Sequence, residues 1–122
     1  MTASIDHIAR TESLFRDVNE RIAEVADRLG SDDAEFVCEC ANADCGERVQ
    51  VSLAEYEQVR EDGARFLVAP GHEEPALEQV LKRHGNHEVL TKSKDPRLAR
   101  AARELDPRAD EQPPADQASE IT

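Results

Sequence analysis

Residues 36–45 have the sequence FVCECANADC, and this stretch decides the fold that we predict. From Phe36 to Cys40, an aromatic ring and two thiols recur at every second position, as side chains do on one face of a β-strand. Asn, Asp and Gly are frequent in residues 41–46, which predicts a turn, and residues 47–51 predict a second strand. The sequence therefore predicts a β-hairpin that carries Cys45 in its turn.

The three cysteines of this hairpin predict a metal site. Cys38 and Cys40 are two residues apart on a predicted strand, so their sulfur atoms point to the same face. Cys45 follows across a turn that can return its sulfur to the other two. Three thiolates so arranged fit three corners of the tetrahedron that Zn²⁺ prefers, with zinc–sulfur distances of about 2.3 Å. We therefore predict Zn²⁺ as the bound cofactor.

The fourth ligand has to come from another part of the chain, because there are only three cysteines. His72 is our first choice, since it directly follows a predicted strand and the turn at residues 70–71. His84 and His87, at a second predicted hairpin, are its rivals, and His7 on the N-terminal helix is the least favoured. Water, an acidic side chain or a partner protein are the remaining alternatives.

Other interpretations of the cysteines stay open from the sequence alone. Free cysteines are often small buried apolar residues, but that is typical of isolated ones rather than of three in a polar turn. The Cys-x-Cys spacing differs from the Cys-x-x-Cys motif of redox thiols. Iron–sulfur clusters usually draw on four cysteines. A zinc site explains the pattern better than each of these.

The sequence favours a structural site over a catalytic one. It contains neither the His-Glu-x-x-His motif nor the Pro-Cys-x-x-Cys signature of zinc deaminases. If His72 were not a ligand, Glu73 or Glu39 could act as the base at an open zinc position. Three thiolates and one imidazole, however, donate so much electron density that the metal is a weak Lewis acid. We therefore assign no catalytic residue.

Residues from about Ser4 to Leu29 predict one long amphipathic helix. Ser4 suits the N-cap, and Gly30 suits the left-handed residue that ends a helix. Apolar residues recur at steps of three, four and seven: Ile8, Phe15, Val18, Ile22, Val25 and Leu29. This stripe is predicted either to pack on the protein's own sheet or to contact a second copy of the chain or a partner helix.

The remaining elements complete a predicted α+β fold, in which the long helix packs on a small, mostly antiparallel sheet with a zinc-pinned hairpin. Ser52 and Glu55 form a capping box before a short helix that ends near Glu61. Residues 65–69 predict a strand. Residues 77–83 suit a helical turn or a strand, and the turn at 85–86 favours a hairpin with residues 87–92.

We predict two regions along the chain. Residues 1–95 form a single zinc-binding α+β domain. Residues 96–122 are an acidic and largely disordered tail, in which residues 98–105 have a weak helical pattern.

The net charge and the hydropathy of the chain limit the classes of partner and the cellular compartment that we predict. The formal net charge is −12, which repels nucleic-acid phosphates and anionic lipids, and no basic patch stands out. No apolar run approaches the ~20 residues of a membrane span, and the N-terminus lacks the apolar stretch of a secretory signal. We therefore predict a cytoplasmic protein with no nucleic-acid or membrane partner.

Several motifs together resemble a group of short actinobacterial proteins. The similarity rests on FRDVNERI at residues 15–22, FVCEC at residues 36–40 with Cys45, EYE at residues 55–57 and RFLVAPGHE at residues 65–73. The resemblance implies that Cys38, Cys40, Cys45 and His72 belong to one recurring unit, but it implies no particular activity. Asn19 and Glu20 in the first motif suit either a solvated or sheet-contacting face, or polar support for the metal-bearing hairpin.

Three functional hypotheses follow. The first is a non-enzymatic, zinc-stabilised interaction or regulatory module that binds a protein partner, or itself as a homodimer, through the N-terminal helix. The second is a sensor that releases zinc when its thiols are oxidised. The third is a small zinc hydrolase.

Overall fold

The computed structural model describes residues 4–92 and 94–108. These residues form three helices and five strands: α1 (Ile5–Arg28), β1 (Asp33–Val37), β2 (Arg48–Ser52), α2 (Leu53–Val59), β3 (Arg65–Val68), β4 (Gln79–Arg83), β5 (Glu88–Thr91) and α3 (Pro96–Glu104). The α+β class and the long N-terminal helix are confirmed.

The ends of α1 are those that the sequence predicts. The Ser4 side chain accepts a hydrogen bond from the backbone N–H of His7 at 3.1 Å, which satisfies one of the free donors of the first turn. At the other end Gly30 adopts a φ of +73°, a conformation that glycine reaches without strain. Residues next to the helix, Ser4 and Gly30, therefore set where it begins and ends.

The buried face of α1 differs from the predicted apolar stripe. Val18, Val25 and Leu29 are 45%, 51% and 79% exposed, so this part of the stripe faces outwards. The face that packs inwards is rotated by roughly a third of a turn about the helix axis from these three residues. It combines one aliphatic side chain with small and polar ones: Ile8, Ala9, Thr11, Glu12, Arg16, Asn19, Ala23 and Ala26. Of the two predicted roles of the stripe, packing on the protein's own sheet is therefore wrong for Val18, Val25 and Leu29, because long polar side chains of α1 find buried partners elsewhere in the fold, and contact with a second copy or a partner helix stays a prediction.

The strands form two antiparallel sheets rather than one. β1 pairs with β2, with Phe36 opposite Val49, and gives the predicted first hairpin. The second sheet has the strand order β3-β5-β4, so the segment that was ambiguous in the sequence forms strand β4 and a hairpin with β5. The main core lies between α1, α2 and the two sheets, where the rings of Phe36 and Tyr56 stack with centroids 4.4 Å apart.

Helix α3 extends the folded unit beyond residue 95. Asp95 caps its N-terminus, and Leu98 is fully buried against Ile8 and Ala9 of α1. Residues 96–108 of the predicted tail therefore belong to the fold, and residues 109–122 lie outside the described residues.

Buried ion pairs connect the helices to one another and to the sheet. The Asp106 carboxylate, just after α3, contacts the guanidinium groups of Arg16 on α1 and Arg60 after α2. Lys92, at the end of β5, is buried between the carboxylates of Glu12 and Glu78. These charges occupy interior positions where apolar side chains are usual, and each is matched by an opposite charge.

Candidate metal centre

The four side chains predicted to bind zinc lie together in the structure. One potential ligand atom from each of Cys38, Cys40, Cys45 and His72 lies within 4.8 Å of every other. The Nδ1 atom of His72 is 3.6 Å from Sγ of Cys38 and 3.5 Å from Sγ of Cys45. The three thiols come from the connection between β1 and β2, and the imidazole comes from the loop between β3 and β4, so tertiary structure brings His72 to the cysteines.

These separations match the edges of a zinc coordination tetrahedron. With zinc–sulfur distances of about 2.3 Å and zinc–nitrogen distances of about 2.0–2.1 Å, a tetrahedral angle places sulfur and nitrogen about 3.6 Å apart. Both sulfur–nitrogen distances agree with that value. The four donors could therefore hold one metal ion, with His72 bound through Nδ1.

Backbone hydrogen bonds position the ligands. The Cys38 N–H donates to the carbonyl of Glu47 at 3.0 Å, which continues the hairpin beyond β1. The Ala69 N–H donates to Sγ of Cys38 at 3.2 Å, and the Ala69 carbonyl accepts from the N–H of His72 at 3.1 Å. Gly71 has a φ of +83°, and this tight turn directs His72 back towards the hairpin. The segment after β3 therefore supplies both the fourth donor and an N–H to a cysteine sulfur.

The electrostatics of the thiols favour a bound cation. A hydrogen bond from the Cys38 thiol lowers the pKa of Cys40 to about 4, and the same contact together with burial raises the pKa of Cys38. Burial also raises the pKa of Cys45. Without a cation, crowding thus permits one thiolate beside two protonated thiols. A divalent ion would replace the two remaining protons.

Asn19 and Glu39 position the segment that carries Cys38 and Cys40. The Asn19 side chain accepts from the N–H of Val37 at 2.8 Å and donates to the Val37 carbonyl at 2.9 Å. It also donates to one oxygen of Glu39, and the other oxygen accepts from the N–H of Leu67 at 2.9 Å. Because Glu39 lies between Cys38 and Cys40, these bonds fix the segment after β1 that carries both thiols.

The two acidic residues considered as bases have other contacts. Both carboxylate oxygens of Glu39 are occupied by the bonds to Asn19 and Leu67, and the side chain is fully buried. Glu73 lies beside Glu88, and this neighbouring carboxyl group raises the pKa of Glu88. Glu39 therefore has a positioning role, which strand alternation alone did not indicate.

The rival histidines belong to a different part of the surface. His84 and His87 lie at the hairpin between β4 and β5, where they approach Glu55 of α2. His7 is exposed in the first turn of α1. Among the histidines, only His72 is grouped with the cysteines in the described residues.

Comparison of the chain with protein families, with curated proteins and with solved structures finds no match. Within residues 4–92 and 94–108, no helix combines the length and apolarity needed to cross a membrane.

Proposed function

We propose that this protein is a zinc-stabilised, non-enzymatic interaction module. The observation that carries the proposal is the Cys38, Cys40, Cys45 and His72 cluster, with sulfur–nitrogen separations of 3.5 and 3.6 Å. Zn²⁺ bound there would connect the β1–β2 hairpin to the loop after β3. The Glu39 N–H already donates to the Leu67 carbonyl of β3 at 2.8 Å, and the ion would add a second connection between the two sheets beside this hydrogen bond.

The donor set supports a structural role for the ion. Four protein ligands would fill a tetrahedral shell and leave no position for water or substrate, whereas catalytic zinc keeps such a position open. The binding free energy of the ion would then become folding free energy, as in other small zinc domains. This suits a protein with three Phe, one Tyr and no Trp, whose apolar core is thin.

The interaction surface in this proposal is the apolar face of α1, which comprises Val18, Ile22, Val25 and Leu29. These side chains line a shallow groove together with Ala26, and three of them are largely exposed. Contiguous exposed apolar side chains on a helix are typical of a docking site for another helix. We propose a second copy of this chain as the occupant, because identical α1 helices would present the same apolar face to each other.

The zinc assignment is tested by the variant His72→Ala. The protein, purified without added metal, should contain about one zinc per chain, and His72→Ala should bind zinc roughly ten- to a hundredfold more weakly in competition with a chromogenic chelator. His7→Ala is the matched control, since His7 is exposed on α1. His72→Cys should restore tight binding because thiolate is also a preferred donor.

Two results would contradict this assignment. One is the absence of zinc from protein that stays fully folded in chelator. The other is unchanged zinc affinity of His72→Ala, which would place the fourth donor elsewhere.

A thiol-based sensor is the second candidate, and the partial exposure of Cys45 favours it. Cys38 and Cys40 are buried, whereas Cys45 is accessible to a small oxidant. Hydrogen peroxide would take two electrons from the Cys45 thiolate to give a sulfenic acid, and a neighbouring thiol would displace water to form a disulfide. Loss of two thiolate donors would release the ion.

Oxidation with one equivalent of peroxide separates the two candidates. The sensor requires release of zinc that a thiol reductant reverses, and it requires the Cys45→Ser variant to form less disulfide. Retention of zinc under these conditions would contradict the sensor and leave the structural role as the remaining candidate.

A further inference from the structure

A second group of metal-ligating side chains lies outside the cysteine site. Glu55 of α2 and His84 and His87 of the β4–β5 hairpin bring their potential ligand atoms within 4.8 Å of one another. Oε2 of Glu55 is 3.2 Å from Nε2 of His87, and the two imidazole rings stack with centroids 4.4 Å apart. None of these residues belongs to the proposed zinc centre.

The local fold explains why these three side chains meet. His84 and His87 flank the turn at residues 85–86, and the His84 N–H donates to the His87 carbonyl at 2.9 Å, which places both rings on one side of the hairpin. Glu55 is in the first turn of α2, where its N–H donates to the Ser52 side chain as the predicted capping box requires. Its carboxylate, however, extends to His87.

The donor separations are compatible with one ion. Metal–nitrogen and metal–oxygen bonds of about 2.0–2.2 Å at a tetrahedral angle place the two donors about 3.3 Å apart, close to the separation of Glu55 and His87. On its other side, Nδ1 of His87 is 2.8 Å from Oδ1 of Asn86. Because an amide oxygen only accepts, Nδ1 carries the proton, and the lone pair of Nε2 remains for a ligand.

A cavity of about 380 Å³ opens beside these donors. Its walls are largely apolar, with Val51, Val59, Leu67, Leu81 and Val89, and two cationic side chains, Arg65 and Lys82, also line it. An ion held by three protein ligands keeps coordination positions open. Apolar walls with positive charge at the edge suit a small organic acid.

We propose that Glu55, His84 and His87 form a second site for a divalent first-row transition ion, whose open positions bind the carboxylate of a small apolar acid in the adjoining cavity. Two imidazoles and one carboxylate are a donor set for Zn²⁺, Fe²⁺, Co²⁺ or Ni²⁺ rather than for Ca²⁺ or Mg²⁺. The site gives the interaction module a means of responding to a small molecule. It is independent of the cysteine centre, because the two share no ligand.

The full chain, loaded first with one equivalent of zinc, tests the proposal by titration with Co²⁺. The expected product holds one zinc and one cobalt per chain by elemental analysis, and its visible bands lack thiolate-to-cobalt charge transfer. His84→Ala and Glu55→Gln should each weaken Co²⁺ binding by roughly tenfold or more. Both positions are exposed, and His7→Ala is the matched control for the loss of an exposed imidazole.

Failure of this site and failure of the zinc centre give different results. Zinc-loaded protein that takes up no cobalt, or variants that bind cobalt as tightly as the wild-type chain, would overturn the second site and leave the first intact. A thiolate-to-cobalt band would show that cobalt had entered the cysteine cluster instead, which would also count against the second site.

The open position is tested by adding butyrate to the cobalt-loaded protein. Butyrate should shift the cobalt bands, and Lys82→Ala should weaken that effect without altering cobalt affinity, because Lys82 lines the cavity and is not among the three donors. Unshifted bands at saturating butyrate would overturn the acid-binding part of the proposal.

Discussion

Asn19 connects the N-terminal helix to the segment that carries Cys38 and Cys40 through one amide side chain. It satisfies the N–H and the carbonyl of Val37 and one oxygen of Glu39, and it is fully buried. The position therefore links the orientation of α1 to the placement of Cys38.

We predict that Asn19→Ala lowers the free energy of unfolding by about 2–4 kcal/mol, because it leaves buried polar groups of Val37 and Glu39 without a partner. Denaturant unfolding of the zinc-loaded protein measures the change. Asp17→Ala on the exposed side of the same helix should alter stability by less than about 0.5 kcal/mol. A similar effect of the two substitutions would mean that the Asn19 bonds contribute little.

Glu20 has a comparable role at the next position of α1. Its carboxylate accepts a hydrogen bond from the Tyr56 hydroxyl at 2.7 Å and forms an ion pair with Arg108. Burial by itself would raise the pKa of Glu20, but the hydrogen bonds from Arg108 and Tyr56 outweigh it and hold the pKa below the ordinary value of 4.5.

The stability contributed by Glu20 should therefore be lost in acid. A carboxyl whose pKa is lower in the folded state stabilises the fold above its unfolded pKa and loses that effect as the pH falls through the folded value. We expect Glu20→Gln to reduce the decline in stability below about pH 4.5, measured by denaturant unfolding between pH 3 and 7. Glu24→Gln, on the exposed side of α1, should keep the wild-type slope.

At the scale of elements, the apolar face of α1 is exposed among residues 4–92 and 94–108. We predict that Val25→Glu converts a homodimer to a monomer in sedimentation experiments, because it places a charge in the proposed helix–helix contact. The zinc content and the helical circular dichroism should not change, since Val25 is half exposed. Asp17→Lys is the control, because it changes an exposed charge on α1 outside the apolar face.

A wild-type chain that sediments as a monomer at all accessible concentrations would contradict self-association. The apolar face would then need a different protein as its occupant.

Some elements of the fold could be predicted from the sequence and others could not, and the difference has a physical cause. Hairpin β1–β2 was predictable because strand alternation and turn residues are local signals, although β1 ends at Val37, so that Cys38 and Cys40 lie in the connection after the strand and not on it. The inward face of α1 was not predictable from periodicity. Arg16 is buried because it donates to the carbonyl of Arg65 at 2.6 Å and covers the ring of Phe66, partners about fifty residues away.

The same distinction applies to the sites. The turn at residues 70–71 indicated His72 because the chain reverses there, and the structure places that imidazole beside the cysteines. The meeting of Glu55 with His84 and His87 depends on packing between α2 and a hairpin about thirty residues later. Local sequence patterns, which relate residues only a few positions apart, give no signal for such a contact.

At the scale of the whole molecule, Asp106 joins three helical segments. Its carboxylate is completely buried and contacts the guanidinium groups of Arg16 and Arg60. The same carboxylate also accepts a hydrogen bond from the backbone N–H of Arg108 at 2.9 Å. The segment after α3 is thereby attached to α1 and to the end of α2.

We predict that Asp106→Ala destabilises the protein by about 3–5 kcal/mol, because two guanidinium groups lose a buried counter-charge. Thermal and denaturant unfolding measure the effect. Glu104→Ala, two residues earlier and exposed, should leave stability almost unchanged. A loss of less than about 1 kcal/mol on Asp106→Ala would mean that water replaces the carboxylate at little cost.

The ionic packing of α1 also has a calorimetric consequence. Exposure of apolar surface raises the heat capacity on unfolding, whereas exposure of polar surface lowers it. The helix buries Glu12, Arg16 and Asn19 at positions where aliphatic side chains are usual. The heat-capacity increment should therefore fall below the ~12–15 cal/mol/K per residue of ordinary domains, and the stability curve should be correspondingly flat with temperature.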